Sequence, residues 1–83
     1  MSYKPLYTKS AFNDIKKLDT VTKKRIKKKI EALSLNPIVK AKRLVNPIIG
    51  TYRWRIGNFR VVFDLDGNKI IILRIGHRRE IYK

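Results

Sequence analysis

Apolar residues in the first half of the chain recur every three or four positions, which predicts two helices. The first helix is predicted from a cap at Thr8 or Ser10 to about Leu18. Its apolar residues are Ala11, Phe12, Ile15 and Leu18. Asp19-Thr20 interrupts this helix and caps the next, which is predicted from about Thr20 to Leu35. The residues predicted to face inward on the second helix are Val21, Ile26, Ile30 and Leu33.

Extended segments flank this helical hairpin. Tyr3 to Tyr7 is a candidate strand, and Pro5, which has no N–H for a sheet ladder, restricts it to a first or edge position. Asn36-Pro37 ends the second helix, because a residue before proline disfavours helical backbone angles. Residues 38–51 are predicted to be irregular, with a short strand near Arg43-Leu44.

From Tyr52 onward the apolar period changes to two, the period of a β-strand. Three strands are predicted, at residues 52–56, 59–65 and 69–75. Gly57-Asn58 is a two-residue turn signal that joins the first two strands in a hairpin, and residues 66–68 form a second turn. The third strand is apolar enough to be buried on both faces, and residues 76–83 form a tail.

These elements predict a single small α+β domain over residues 1–83. Its N-terminal strand and helical hairpin pack on an antiparallel β-sheet. The chain has 83 residues, which leaves no room for a second domain.

Composition limits the chemistry that the chain can perform. It has no cysteine and one histidine, His77, which excludes a disulfide scaffold, thiol catalysis and Cys-based or multi-His metal sites. The acidic residues are scattered, so no carboxylate pair suits a two-metal site. We therefore expect neither metal nor cofactor. No secretory signal is visible and no apolar run is long enough to span a bilayer, so we expect a cytoplasmic protein without a membrane partner.

The charge balance indicates a polyanionic partner. Lysine and arginine number 21 against 6 acidic residues, a net charge of +15, which favours nucleic acid or the ribosome. Lys27 and Lys28 belong to a run of cations on the second helix, where each like-charge pair at i,i+4 costs roughly 0.2–0.5 kcal/mol. Phosphate contact would neutralise these charges. A solvated helix face is the alternative.

The predicted hairpin gathers three arginines. With Gly57-Asn58 as its loop, Arg55 lies opposite Arg60, and Arg53 lies two residues along the same face. Like charges opposite each other destabilise a sheet, so the patch indicates an anion site, and the guanidinium fork matches phosphate oxygens. Outward arginines over a solvent-facing sheet are the alternative, and a slip of one residue would scatter the patch.

The tail offers groups that could exchange protons. His77 is a residue type that can carry a proton, although a structural role also fits it. Tyr82 could fold back over the arginines, whose positive charge would lower its phenol pKa. It could also stack on a base or pack against the sheet. RNA carries its own nucleophile, the 2′-OH, so cleavage needs only positive charge, a proton acceptor and a donor.

The second half of the chain contains the pattern Tyr52-Arg-Trp-Arg-Ile-Gly-Asn-Phe-Arg60-Val-Val-Phe63, then Asp-Gly-Asn, an isoleucine-rich strand and Gly76-His-Arg-Arg-Glu-Ile-Tyr82. Together with the basic helical hairpin before it, this pattern resembles the RelE/ParE superfamily of toxins from type II toxin–antitoxin pairs. The RelE branch implies two helices on an antiparallel sheet. It also implies a ribosome-dependent endoribonuclease that cleaves messenger RNA in the ribosomal A site, by metal-independent attack of the 2′-OH on the phosphate.

The resemblance implies a role for each matched position. Arg60 matches a strand arginine that stabilises the charged phosphate, and Arg78 a C-terminal arginine that protonates the leaving 5′ oxygen. Tyr82 matches a tyrosine near the nucleophile or stacked on a base. Arg53 and Arg55 match positions that are lysines in the best-known members.

That difference bears on the general base. Arginine effectively cannot lose its proton, so the base would be Tyr82, His77 or ribosomal RNA.

The resemblance also implies a cognate antitoxin that forms a hetero-oligomer with the toxin. An acidic partner would suit the surface, docked at the exposed sheet edge or in the groove beside the helices; the sequence does not choose between them. Two other functions stay open: a ParE-like inhibitor of DNA gyrase that is not an enzyme, and a basic RNA- or ribosome-binding protein. Arg60, Arg78 and Tyr82 together favour the RelE branch.

Overall fold

The computed structural model describes residues 3–43 and 51–77, and it arranges them as two helices on one five-stranded sheet. The elements in chain order are β1 (Lys4–Tyr7), α1 (Lys9–Lys16), α2 (Thr20–Leu33), β2 (Lys42–Arg43), β3 (Tyr52–Ile56), β4 (Phe59–Asp66) and β5 (Lys69–His77). The strand order is β1-β5-β4-β3-β2. The antiparallel meander β3-β4-β5 and the α+β class are as predicted, while β1 joins the sheet in parallel beside β5.

Each helix begins at a side-chain cap. The Thr8 hydroxyl accepts a hydrogen bond from the Ala11 N–H (3.1 Å), and the Asp19 carboxylate accepts one from the Thr22 N–H (3.2 Å). Both helices end about two residues earlier than predicted. The N–H groups of Leu18 and Leu35 bond to carbonyls three residues back, which is the tighter turn that often closes a helix. Within the described ranges, neither helix has the length and apolar character needed to cross a membrane.

The core lies between the two helices and one face of the sheet. Its buried side chains are Ala11, Ile15, Ile26, Ile30, Leu33, Trp54, Ile56, Val61, Phe63, Ile70, Ile72 and Ile75. Trp54 is fully buried and its indole N–H donates to the Pro37 carbonyl at 3.0 Å. Burying one large aliphatic side chain stabilises the fold by about 1.5–3 kcal/mol, so this layer supplies most of the drive to fold.

A β-bulge in β5 changes which side chains face the core. Val62 pairs with Arg74 and Phe63 pairs with Ile72, so Leu73 is an extra residue without a partner on β4. Such an insertion restarts the alternation of faces, which is why Ile72 and Ile75 are both buried. Leu73 is half-buried, so the strand is less enclosed than its composition predicts.

β1 is the outermost strand on its side of the sheet, and its outward edge lacks one hydrogen-bond donor. The backbone N–H of Lys4 donates to the Asn68 carbonyl (2.9 Å), and the backbone N–H of Thr8 donates to the Ile72 carbonyl (3.0 Å). Since alternate residues of a strand face opposite neighbours, Pro5 faces outward, where its missing N–H costs nothing and offers no donor. The edge position predicted from Pro5 is therefore confirmed.

The predicted strand at Arg43-Leu44 is observed in part. β2 covers Lys42 and Arg43, which pair with Arg53 and Tyr52 of β3. Leu44 lies outside the described residues.

Candidate anion-binding site

Three arginines share the sheet face that points away from the helices. The register pairs Arg55 with Arg60 and Ile56 with Phe59 across the turn at Gly57-Asn58, as the sequence predicts. Gly57 has a φ of +60°, the left-handed conformation that such a turn requires. Arg53 lies on the same face, opposite Val62. We call the surface formed by Arg53, Arg55 and Arg60 the arginine face.

The three side chains differ in burial. Arg60 is 7% exposed, Arg53 is half-buried and Arg55 is exposed. Arginine keeps its charge even when buried, so Arg60 is a positioned cation below the surface. Arg55 lies opposite it at the surface. A phosphate at this pair could be held by one buried and one exposed guanidinium group, each able to bond two oxygens.

A fourth arginine on this face is already occupied. Arg74, opposite Val62, bonds to Asp14 of α1, with Nε–Oδ2 at 2.8 Å and Nη2–Oδ1 at 3.3 Å. Hydrogen bonding and the charge of Asp14 raise the pKa of Arg74. The same carboxylate accepts the Ile75 N–H at 2.9 Å. Nothing local in the sequence indicates this contact, which joins residues 61 positions apart.

The structure does not bring His77 to the arginine face. His77 pairs with Phe59, and the two rings meet edge-to-face at 6.0 Å on the helix side of the sheet. An unbroken alternation from Ile72 would place His77 beside Arg60; the bulge at Leu73 reverses it. Gly76 is the residue opposite Arg60, and it adds no side chain there.

The two tail residues predicted for catalysis, Arg78 and Tyr82, lie outside the described residues. Their roles therefore stay predictions. In the chain they follow His77, whose strand ends beside Phe59 at the hairpin end that carries Arg55 and Arg60.

The cations of α2 are divided between open solvent and a groove. A groove of about 500 Å³ runs between α2 and the end of β3, and we call it the α2–β3 groove. Its lining residues are Arg25, Lys28, Lys29, Ala32, Arg55, Ile56 and Gly57. Lys28 and Arg55 therefore line the same groove. Lys27 is exposed and lies outside it. A smaller hollow of about 230 Å³ shares Arg25, Ile56 and Gly57 with it.

Arg25 and Lys29 are site residues that the sequence analysis did not single out. Helical spacing could have indicated them, because positions 25, 28, 29 and 32 fall on one face of α2. Arg25 also reaches the hairpin turn: its Nη2 lies 3.8 Å from where a side chain on Gly57 would begin. Within the described residues, no three His, Asp or Glu side chains cluster as metal ligands.

Comparison with known families gives a consistent result over nearly the whole chain. The model of the family described as ParE toxin of type II toxin-antitoxin system, parDE, matches residues 6–82. Toxin RelE3 of Methanocaldococcus jannaschii is 34% identical over 83 residues, which cover 95% of this chain and 94% of that protein.

Solved structures agree with the fold. A chain of the toxin–antitoxin complex RelBE2 from Mycobacterium tuberculosis matches with a TM-score of 0.84 and 27% identity, covering 94% of this chain and 100% of that one. A chain of the RelB–RelE antitoxin–toxin complex from Methanococcus jannaschii matches with a TM-score of 0.71 and 33% identity, covering 93% and 94%.

Proposed function

The chain belongs to the RelE/ParE superfamily of toxins from type II toxin–antitoxin pairs, and from this premise we propose that it is a ribosome-dependent endoribonuclease of messenger RNA. The observation that carries the proposal is the opposed pair Arg55–Arg60, with Arg53 beside it. Two like charges held opposite each other weaken a sheet, and an RNA phosphate would remove that repulsion.

The reaction divides among the named residues. The 2′-OH attacks the adjacent phosphorus, the new O2′–P bond forms as the P–O5′ bond breaks, and a proton passes to the leaving 5′ oxygen. Arg60 stabilises the extra negative charge of the transition state, the type of contribution that is often the largest in catalysis. Arg53 and Arg55 hold the phosphate. Arg78 keeps its proton in water at neutral pH, but it donates that proton to the leaving 5′ oxygen, because an alkoxide is a stronger base than a neutral guanidine.

The proton acceptor is a separate question. None of the three arginines of the arginine face can act as a base at neutral pH. His77 lies on the helix side of the sheet, so its position argues against it. Tyr82 or a group of the ribosome is the acceptor in this proposal, and Tyr82 can instead stack on a base.

Outside the reaction centre, the exposed cations serve binding. Lys27 and Lys28 on α2 contact the phosphate backbone of messenger or ribosomal RNA, and such contacts make affinity fall steeply with salt. A cognate antitoxin holds the toxin in a hetero-oligomer, as in the antitoxin complexes of its solved relatives.

The family model favours a second candidate. It describes ParE toxins, whereas the curated relatives carry the name RelE. A ParE-like protein would inhibit DNA gyrase and leave messenger RNA intact. The arginine face would then bind a protein surface, and loss of Arg55 would weaken gyrase inhibition without any effect on RNA.

The deciding experiment is primer extension on a defined messenger RNA in a translation reaction. We expect cuts at codon-related positions that require ribosomes. Arg55→Ala should reduce cutting at least tenfold, because each lost charge-assisted contact costs about 1.5–3 kcal/mol. The matched control is Arg43→Ala. Arg43 is an exposed residue of β2 that pairs with Tyr52 of β3. Intact message with normal folding would reject the nuclease and lead to a supercoiling assay with gyrase.

A further inference from the structure

The α2–β3 groove concentrates positive charge that its own lining does not balance. The lining residues that the structure describes include the four cations Arg25, Lys28, Lys29 and Arg55, and no carboxylate. Arg25 and Lys29 are also an i,i+4 pair of like charges on α2, which weakens the helix. The groove would be more stable with an anionic occupant.

The groove also has apolar lining residues, Ala32 and Ile56. Ile56 is only 6% exposed, whereas Ala32 is exposed. The adjoining hollow is lined by Thr22, Arg25, Ile26, Ile56, Gly57, Asn58 and Phe59. Four cations beside apolar lining residues, with an adjoining hollow, suit a peptide with acidic residues and one aliphatic anchor.

We propose that the α2–β3 groove binds an acidic segment of the partner antitoxin, with one aliphatic side chain in the adjoining hollow. The identity of the partner rests on the proposed function; the chemistry of the segment rests on the groove. Single-stranded RNA is the weaker fit, because base stacking needs aromatic faces and Phe59 is the one aromatic residue among those lining the two cavities.

Arg55 links this groove to the arginine face. It lines the groove and it is the partner of Arg60 across the hairpin. A carboxylate in the groove would bond the exposed Arg55 guanidinium and draw it away from a phosphate at Arg60. The segment would therefore inhibit RNA binding without covering Arg60 itself.

Two hexapeptide probes of equal charge test the groove directly. Acetyl-EEDLEE-amide and acetyl-EEDSEE-amide are titrated into the ¹⁵N-labelled full chain, with amide shifts followed by NMR. We expect the leucine peptide to shift the amides of residues 25–29 and 55–58. We expect the serine peptide to bind about tenfold more weakly, since it lacks the apolar anchor.

Charge-reversal variants separate the groove from general attraction. Lys28→Glu with Lys29→Glu should weaken the leucine peptide at least tenfold. Lys9→Glu with Lys24→Glu makes the same change of net charge at exposed positions outside the groove and should weaken it less than twofold. Equal losses in the two variants, or equal affinity of the two peptides, would overturn the proposal, because binding would then be non-specific.

Two further results distinguish the groove proposal from the nuclease proposal. Arg25 and Lys29 line the groove but have no part in the proposed RNA contacts. Hexauridylate that shifts their amides and binds more tightly than the leucine peptide would assign the groove to RNA and overturn the inference. Peptide binding needs neither ribosomes nor cleavage, so a chain that cuts no message but binds the leucine peptide as expected would reject the nuclease and retain the groove.

Discussion

Asp14 joins α1 to the part of β5 that β1 does not cover, and its replacement by alanine should destabilise the fold strongly. β1 pairs with β5 only as far as Ile72. Beyond that point the Asp14 carboxylate takes the place of a neighbouring strand, because it accepts the Ile75 N–H at 2.9 Å. Asp14→Ala would leave this part-buried donor without its acceptor.

The magnitude follows from the two contacts separately. A hydrogen bond from a backbone N–H to a charged acceptor contributes about 1.5–3 kcal/mol. The side chain of Arg74 is 47% exposed, so its ion pair contributes only about 0.2–1 kcal/mol. Asp14→Ala should therefore cost about 2–4 kcal/mol, a large part of the roughly 4–12 kcal/mol expected for a domain of this length. The melting temperature should fall by about 10 °C or more.

Urea unfolding of four proteins separates these terms: the wild type, Asp14→Ala, Arg74→Ala and the double variant. Arg74→Ala should cost at most about 1 kcal/mol. The double variant should match Asp14→Ala, because the ion pair is already lost there. Equal costs for the two single variants would contradict this prediction, because the Ile75 contact would then contribute nothing.

Two further predictions concern the turns and caps. The hydrogen bonds from Thr22 lower the pKa of Asp19, so its stabilising effect is present above the unfolded pKa near 4 and is lost as the pH falls through the lowered folded value. Asp19→Asn should remove this part of the pH dependence in acid unfolding, and an unchanged profile would contradict it. Gly57 and Gly67 both have a φ of +60°, so either glycine-to-alanine change should cost about 1–2 kcal/mol in urea unfolding. The contact at Gly57 is an ordinary 3.8 Å, and a much larger loss there than at Gly67 would contradict this account.

The sequence predicts the arginine face well because every signal for it is local. Two-residue alternation and the Gly57-Asn58 turn set the hairpin, and a hairpin turn fixes which residues oppose each other. The pairing of Arg55 with Arg60 follows directly. The helix caps at Thr8 and Asp19 are likewise local and were predicted within a residue or two.

What the sequence did not predict depends on contacts between distant segments. The run of apolar residues around Leu73 is compatible with a strand with or without a bulge. Nothing local in the sequence therefore indicates on which face of the sheet His77 lies. The parallel pairing of β1 with β5 joins the two ends of the described chain. The α2–β3 groove depends on where α2 crosses the edge of β3, and helical periodicity alone does not give that position.

The proline of β1 affects how copies of the free protein can associate. A toxin released from its antitoxin exposes the surfaces that the antitoxin covered, and a row of unpaired N–H groups would then recruit strands from other copies. Pro5 removes one donor from the outermost strand on that side, and the net charge of +15 keeps copies apart at long range. Pro5 and the net charge therefore both disfavour strand pairing between released copies on the β1 side.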